Sequence, residues 1–153
     1  MNLARAAEDC MNLARAATVL HVIAHMEKGG AERQLAFLVE ASRHKHVVAV
    51  LPGNQRLSSA SIELLPGLSP TAIFRSVRGM IKKHNVDIVQ LWLPDRITIP
   101  AMIAAKLEKC RIISGDRRRV RNYGLAAIRD RLKYVNHLYA DLVIPNYPHV
   151  LPR

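Results

Sequence analysis

The chain has 153 residues, half of them hydrophobic, and a net charge of +11. That length suits one ordinary domain with a real core, and that apolar content excludes a disordered tail. A pI near 10.4 points to an anionic partner (nucleic acid, phospholipid surface or phosphorylated ligand) without choosing among them.

Two cysteines, Cys10 and Cys110, make no disulfide framework and have no metal-type spacing, so a reducing cytoplasm is expected. No apolar run reaches the length of a membrane span. The apolar stretch from Ala16 to Ala24 is interrupted by His21 and preceded by Glu8 and Asp9. No convincing cleavage site follows it, which argues against a signal peptide.

"MNLARAA" occurs at residues 1–7 and again at 11–17. On a helix that offset turns the second copy by roughly 80°, so the copies share no face. The unit is also too short to stack as a structural repeat. A duplicated or wrongly chosen start, with Met11 as initiator, is expected. Residues 1–17 then lie outside the functional domain, which runs from 18 to 153.

"TVLHVIA" (18–24) is β-branched and apolar, suited to a strand buried on both faces. Beyond Gly29 and Gly30, Leu35, Leu38, Val39 and Ser42 recur at helical spacing. "HVVAVL" (46–51) predicts a second strand ended by the turn signal Pro52-Gly53-Asn54, and "SIELLPG" (61–67) a weaker third. Ser69 or Thr71 could cap a helix over 71–85 whose apolar stripe is Ile73, Val77, Met80 and Ile81. "VDIVQLWL" (86–93) is the next strand. A helix follows over 97–109, with Pro100 fitting its first turn. "CRIISG" (110–115) is a short strand, 122–139 reads as helical, and "ADLVIPN" (140–146) closes the series.

Strands and helices alternate with short links, the pattern of a mainly parallel sheet with helices on both faces. Right-handed crossovers make it a doubly wound, Rossmann-like domain. Ligands of such sheets lie beyond the carboxyl ends of the strands. That rule gathers His25–Gly30, Pro52–Asn54, Trp92–Arg96, Ser114–Arg121 and Asn146 onward into one rim.

Adjacent glycines at 29 and 30 permit positive φ and let a ligand approach with no Cβ in its way. The following helix presents unpaired N–H groups, a seat for a phosphate or a sugar hydroxyl. The turn is neither a G-x-G-x-x-G fingerprint nor a Walker loop. On residue chemistry alone, a tight turn is the commoner use of such a pair. Glu32 could equally be a first-turn carboxylate favouring the helix dipole.

"VLHVIAHMEKGGAERQLAFLVE" resembles the opening of family-4 glycosyltransferases, where the first strand runs into a Gly-Gly-Ala-Glu turn. "VDIVQLWLPDRITIPAMIAAKLEKCRIIS" is similar to that family's fourth strand, polar loop, Ala-rich helix and next strand. "YADLVIPN" resembles the strand closing its N-terminal domain. The resemblance implies one half of a GT-B fold: two Rossmann-like domains across a cleft, the N-terminal one holding the acceptor. The C-terminal one would hold the nucleotide-sugar, with basic residues on its diphosphate and a Glu-x7-Glu motif. Transfer would retain anomeric configuration, with the nucleotide-sugar as co-substrate, no further cofactor and no metal.

By the same resemblance, Gly29 and Gly30 would line the cleft near the transferred sugar and donor phosphate. Trp92, Pro94 and Asp95 would shape the acceptor pocket, and Ser114 and Arg117 would face the same cleft from the next strand. This sequence departs from the family at Gln90-Leu91-Trp92, where many relatives carry a histidine, and at Tyr147, where serine is usual. It stops seven residues after Asn146. The donor-binding domain is therefore expected to be absent, leaving a truncated frame or one partner of a split enzyme. Catalytic groups would lie in that absent half, and unaided turnover is not expected.

Residues 111–133 hold eight Arg or Lys against Asp116 and Asp130. Arg117, Arg118, Arg119 and Arg121 could meet anionic lipid or a lipid-linked phosphate acceptor, each charge contributing about 1 kcal/mol. They could instead meet nucleic acid, or simply be solvated. Tyr123 is the lone aromatic nearby, which argues against single-stranded nucleic acid. Among the histidines, His25 at the strand mouth is the candidate ligand contact and His21 the expected core residue. His44 and His46 straddle a helix end and a strand start and need not converge on a metal. The first expectation is thus an acceptor-side lobe acting with a separate donor-binding chain on a glycan or lipid-linked acceptor. Its place is the cytoplasm, with contact at the inner membrane face if the basic segment meets lipid. The alternatives are a non-catalytic basic module for anionic membrane or nucleic acid, and a degenerate remnant.

Overall fold

A computed structural model describes residues 16–26, 29–53, 60–93, 95–116 and 135–145. Six strands and four helices alternate: β1 (Thr18–Ile23), α1 (Gly30–Ala41), β2 (Lys45–Val50), β3 (Ser61–Leu64), α2 (Pro70–His84), β4 (Ile88–Leu91), α3 (Thr98–Leu107), β5 (Arg111–Asp116), α4 (Val135–Tyr139) and β6 (Leu142–Pro145). The sheet order is β3-β2-β1-β4-β5-β6, and every neighbouring pair is parallel. This is the doubly wound, Rossmann-like arrangement that the alternating pattern predicts.

Side chains alternate across the sheet, so each strand feeds two cores. On one face Leu20, Val22, Val47, Ala49, Val89, Leu91 and Ile112 pack under α2 and α3. Small residues Ala101, Ala104 and Ala105 let α3 approach closely, and Ile73, Val77, Met80 and Ile81 form the buried stripe of α2. Pro100 does sit in the first turn of α3. The other face is smaller: Ile23, Val48, Val50 and Trp92 pack with Met26 and with Leu35 and Val39 of α1.

Three local expectations change. Leu38 is 39% exposed and Ser42 caps the end of α1, so the apolar stripe of that helix narrows to Leu35 and Val39. Ser69 stands at the N-cap of α2 but makes no side-chain cap bond; its hydroxyl lies 3.2 Å from that of Thr71. At the other end Asn85 takes the left-handed conformation (φ 51°), and Lys82, Lys83 and His84 complement the helix dipole. Of the helix expected over 122–139, the described part is α4. Residues 1–15 of the duplicated start (1–17) and residues from Asn146 onward lie outside the described residues, while the Ala17 carbonyl accepts from the Lys45 N–H at the start of β2. Among the described residues no helix is long and apolar enough to cross a membrane.

Candidate functional site

The sheet's order reverses at β1, which pairs with β2 on one side and β4 on the other. Chain leaving β1 turns into α1 over one face, while chain leaving β4 turns into α3 over the other. The ligand crevice usual for such a sheet falls between these exits. His25, Gly29 and Gly30 follow β1 toward it; Asp95 and Arg96 follow β4, beyond the buried Trp92.

The two glycines differ. Gly29 is the N-cap of α1 with φ −139° and ψ 174°, an extended backbone open to any residue. Neither it nor Gly30 uses positive φ; among the described glycines only Gly67 does. A Cβ at position 29 would meet the Glu32 carboxylate folded back over it, a flexible side chain that would have to swing aside. At Gly30 a Cβ would meet nothing within 4 Å. The positive end of α1 therefore already has one carboxylate beside it, at Gly29, and an open approach at Gly30.

His25 is exposed at the mouth of β1. Asp95 is half-buried and largely organises its own turn. Its carboxylate accepts the Arg96 N–H (2.6 Å), its carbonyl accepts the Thr98 hydroxyl (2.7 Å), and its N–H donates back to Thr98 Oγ1 (3.2 Å). Asn136 on α4 donates to the same oxygen at 3.2 Å, tying α4 to the start of α3.

Two of the expected ligand contacts are enclosed by the fold. Ser114 pairs in register with Leu91, is 0% exposed, and its hydroxyl has no partner among the described residues. Trp92 is 2% exposed and lies within the smaller core. It supports the crevice from beneath rather than lining it. Pro94, Arg117, Arg118, Arg119 and Arg121 lie outside the described residues.

Beneath the crevice runs a polar chain that sequence reasoning missed. The Trp92 indole N–H donates to His21 Nδ1 at 3.0 Å, and His21 Nε2 lies 2.8 Å from His46 Nδ1. Indole nitrogen only donates. His21 Nδ1 must therefore accept, its Nε2–H must donate, and the proton of a neutral His46 is forced onto Nε2. That last N–H is buried with no acceptor among the described residues. Burial, then the neighbouring His46, pull the pKa of His21 down to about 3, opposed by a side-chain hydrogen bond with Gln90 that favours the protonated ring. Burial and then His44 also lower that of His46. His21 is thus the satisfied core histidine expected. The signal for its partner was available: His46 falls on the same sheet face once the strands are in parallel register.

No group of three or more His, Cys, Asp or Glu among the described residues is placed to hold a metal ion. Cys110 is buried, donates to the Val86 carbonyl at 3.3 Å, and has its thiol pushed up to about 11 by burial. It is a packing residue rather than a nucleophile.

No protein-family profile matches this sequence, and no curated protein does. Solved structures do match. S. aureus MnaA, in a co-structure with UDP, superposes with a TM-score of 0.66 at 14% identity, covering 84% of this chain and 37% of that one. A UDP-N-acetylglucosamine 2-epimerase from Rickettsia bellii also gives 0.66 at 14% identity, over 88% of this chain and 40% of that one. A GalE-like L-threonine dehydrogenase from Cupriavidus necator gives 0.56 at 12%, covering 88% and 56%. The described residues thus form a Rossmann-like domain, a fold shared with enzymes of nucleotide-sugar chemistry among others. The chain spans about two fifths of the length of the first two proteins.

Proposed function

We propose that this chain is the acceptor-side lobe of a GT-B-type glycosyltransferase. It would move a sugar from a nucleotide-sugar to a glycan or lipid-linked acceptor together with a donor-binding lobe on further polypeptide. The observation that carries this reading is the unobstructed main chain at Gly30, set at the positive end of α1 beside the sheet's reversal point. The superposition on a UDP-bound protein and a UDP-sugar epimerase, each over about two fifths of its length, supports a lobe of a larger nucleotide-sugar enzyme.

In this reading the sugar or donor phosphate approaches Gly30 while the Glu32 carboxylate accepts hydroxyl hydrogens from the sugar. His25 stands at the mouth as a polar contact, and Asp95 with Arg96 borders the acceptor. The bond from the anomeric carbon to the diphosphate breaks, a bond to the acceptor oxygen forms, and the acceptor's proton passes to the departing diphosphate. Charge developing on the diphosphate is stabilised by groups of the other lobe, without a metal. Arg117, Arg118, Arg119 and Arg121 contact a lipid-linked phosphate or the anionic inner face of the membrane.

The test is reconstitution with a donor-binding lobe supplied in trans. Gly30→Val is expected to leave circular dichroism and the melting temperature close to those of the parent, because open space receives the side chain, yet to abolish transfer. Unchanged transfer rates would remove the turn from the site. The superposition on the Rickettsia bellii epimerase favours a second reading, a lobe of a UDP-sugar epimerase. Inversion at a ring carbon of UDP-N-acetylglucosamine with no acceptor present would establish it over transfer. Binding to RNA and anionic vesicles that collapses at higher salt, with no response to any nucleotide-sugar, would favour a basic binding module.

A further inference from the structure

We propose that the His21–His46 pair is a proton-sensitive latch that holds Trp92, and through it the glycine turn, in place. The inference stands on the buried hydrogen-bond chain and is independent of which ligand the crevice takes.

Trp92 follows β4, and its backbone N–H donates to the Val22 carbonyl at 3.1 Å, extending the pairing of β4 with β1. Its ring belongs to the cluster that contains Met26 and Leu35, with Ala31 packed against it. Met26 and Ala31 flank the glycine turn on either side. The indole is therefore the floor on which that turn rests, and its one donor is spent on His21 Nδ1.

The chain of donors runs in a single direction, from indole to His21 to His46, and it uses every acceptor the pair possesses. A proton added to His21 goes to Nδ1 and sets an N–H against the indole N–H. A proton added to His46 also goes to its Nδ1, opposing the N–H of His21. Either event turns a hydrogen bond into a donor–donor clash inside a buried site.

One neighbour, Gln90, offsets part of the new charge on His21. Gln90 lies opposite His21 in register and Trp92 donates to it, and the cluster on this face of the sheet is otherwise apolar: Ile23, Val48 and Val50 from the strands, Leu35 and Val39 from α1. His44 acts on His46 by charge, in the unfavourable sense. The charged residues of α1 lie elsewhere: Glu32 is folded over Gly29, and Arg33 and Glu40 are exposed. Acid therefore acts on the seat of Trp92 directly, whereas the described strand residues that feed the aliphatic core include no histidine.

The full chain contains one tryptophan, so its emission reports on the latch directly. Far-UV circular dichroism reports separately on helices and sheet. On acidification below the ordinary histidine range, the emission maximum is expected to move to longer wavelength while circular dichroism keeps its neutral-pH form. His46→Asn places an amide oxygen near the former Nδ1 acceptor and has nothing to titrate. Its emission change is expected only at the lower pH where His21 alone takes a proton. One joint transition of emission and circular dichroism in the parent chain, or an unchanged emission midpoint in His46→Asn, would overturn the latch.

Should that variant not fold, ring-nitrogen NMR of the parent chain decides. A neutral His21 with its proton on Nε2, protonated in step with the emission change, supports the latch. The opposite tautomer, or titration of the pair with no response from the indole resonance, overturns it.

Discussion

The two faces of the sheet solve the same packing problem differently. The face under α2 and α3 is aliphatic from Leu20 to Ile112, whereas the face under α1 gives up positions to His21, His46, Gln90 and Trp92. An aliphatic core tolerates any pH and asks only for shape. A buried imidazole pair asks for one tautomer and one charge state. The costly face is also the one that supports the glycine turn, so polar specification sits under the candidate site and plain packing lies opposite it.

Breaking the aliphatic face should have the largest effect. Leu20 is 0% exposed at the centre of the sheet, under α2 and α3. Leu20→Ala is expected to cost about 2–5 kcal/mol of unfolding free energy, because lost burial and a residual cavity add. Urea denaturation at pH 7 and again at mild acid should give the same decrement. A decrement that changes with pH would show that the two faces are coupled.

On the polar face the effect is smaller and depends on pH. Trp92→Phe removes the donor to His21 Nδ1 and leaves a buried acceptor unpaired, at a cost of roughly 1–3 kcal/mol near neutrality. The parent chain should also show an acid limb. His21 stays neutral in the folded state down to about pH 3, while in the unfolded chain it takes a proton near 6.5. Its contribution is therefore fully present above the unfolded value and is lost as pH falls from there toward 3. One pH unit below the unfolded value the loss is about 1.4 kcal/mol for this histidine, and His46 adds to it in the same direction. His21→Leu should flatten this limb in a series of denaturant midpoints. A limb of equal slope in that variant would assign it to other groups.

Much of this division could be read from the residues. β-branched runs and a 3.6-residue apolar period located the strands and α2, since burial on both faces or along one stripe leaves a direct trace in composition. Alternation of strand and helix then implied parallel order and gathered His25, Gly29, Gly30 and Asp95 at one rim. What could not be read was which rim residues point outward. Trp92 directly follows β4 and Ser114 lies within β5, and pleating sends their side chains to the two buried faces of the sheet. The partnership of His21 with His46 depends on the register of two strands separated by a helix, and no local spacing encodes register. The back-folding of Glu32 over Gly29 was equally hidden, because a first-turn carboxylate has many rotamers and the sequence specifies none.

That last contact makes the smallest prediction and the sharpest one within the site. Gly29 and Gly30 are neighbours, yet only position 29 has its Cβ space occupied. Gly30→Ala adds a better helix former at the first position of α1, in open space. Its stability should rise by no more than about 1 kcal/mol. Gly29→Ala keeps an allowed extended backbone but forces the Glu32 carboxylate off the turn, so stability should fall by a fraction of that amount. The double change Gly29→Ala with Glu32→Ala should then cost less than the sum of the two single changes, since the obstruction has gone and only the N-cap preference for glycine over alanine remains. Comparing the four melting temperatures closes the cycle. Equal responses at the two glycines, or additivity of Gly29→Ala with Glu32→Ala, would mean that the carboxylate does not rest on the turn in solution, and that the positive end of α1 is open along its whole edge.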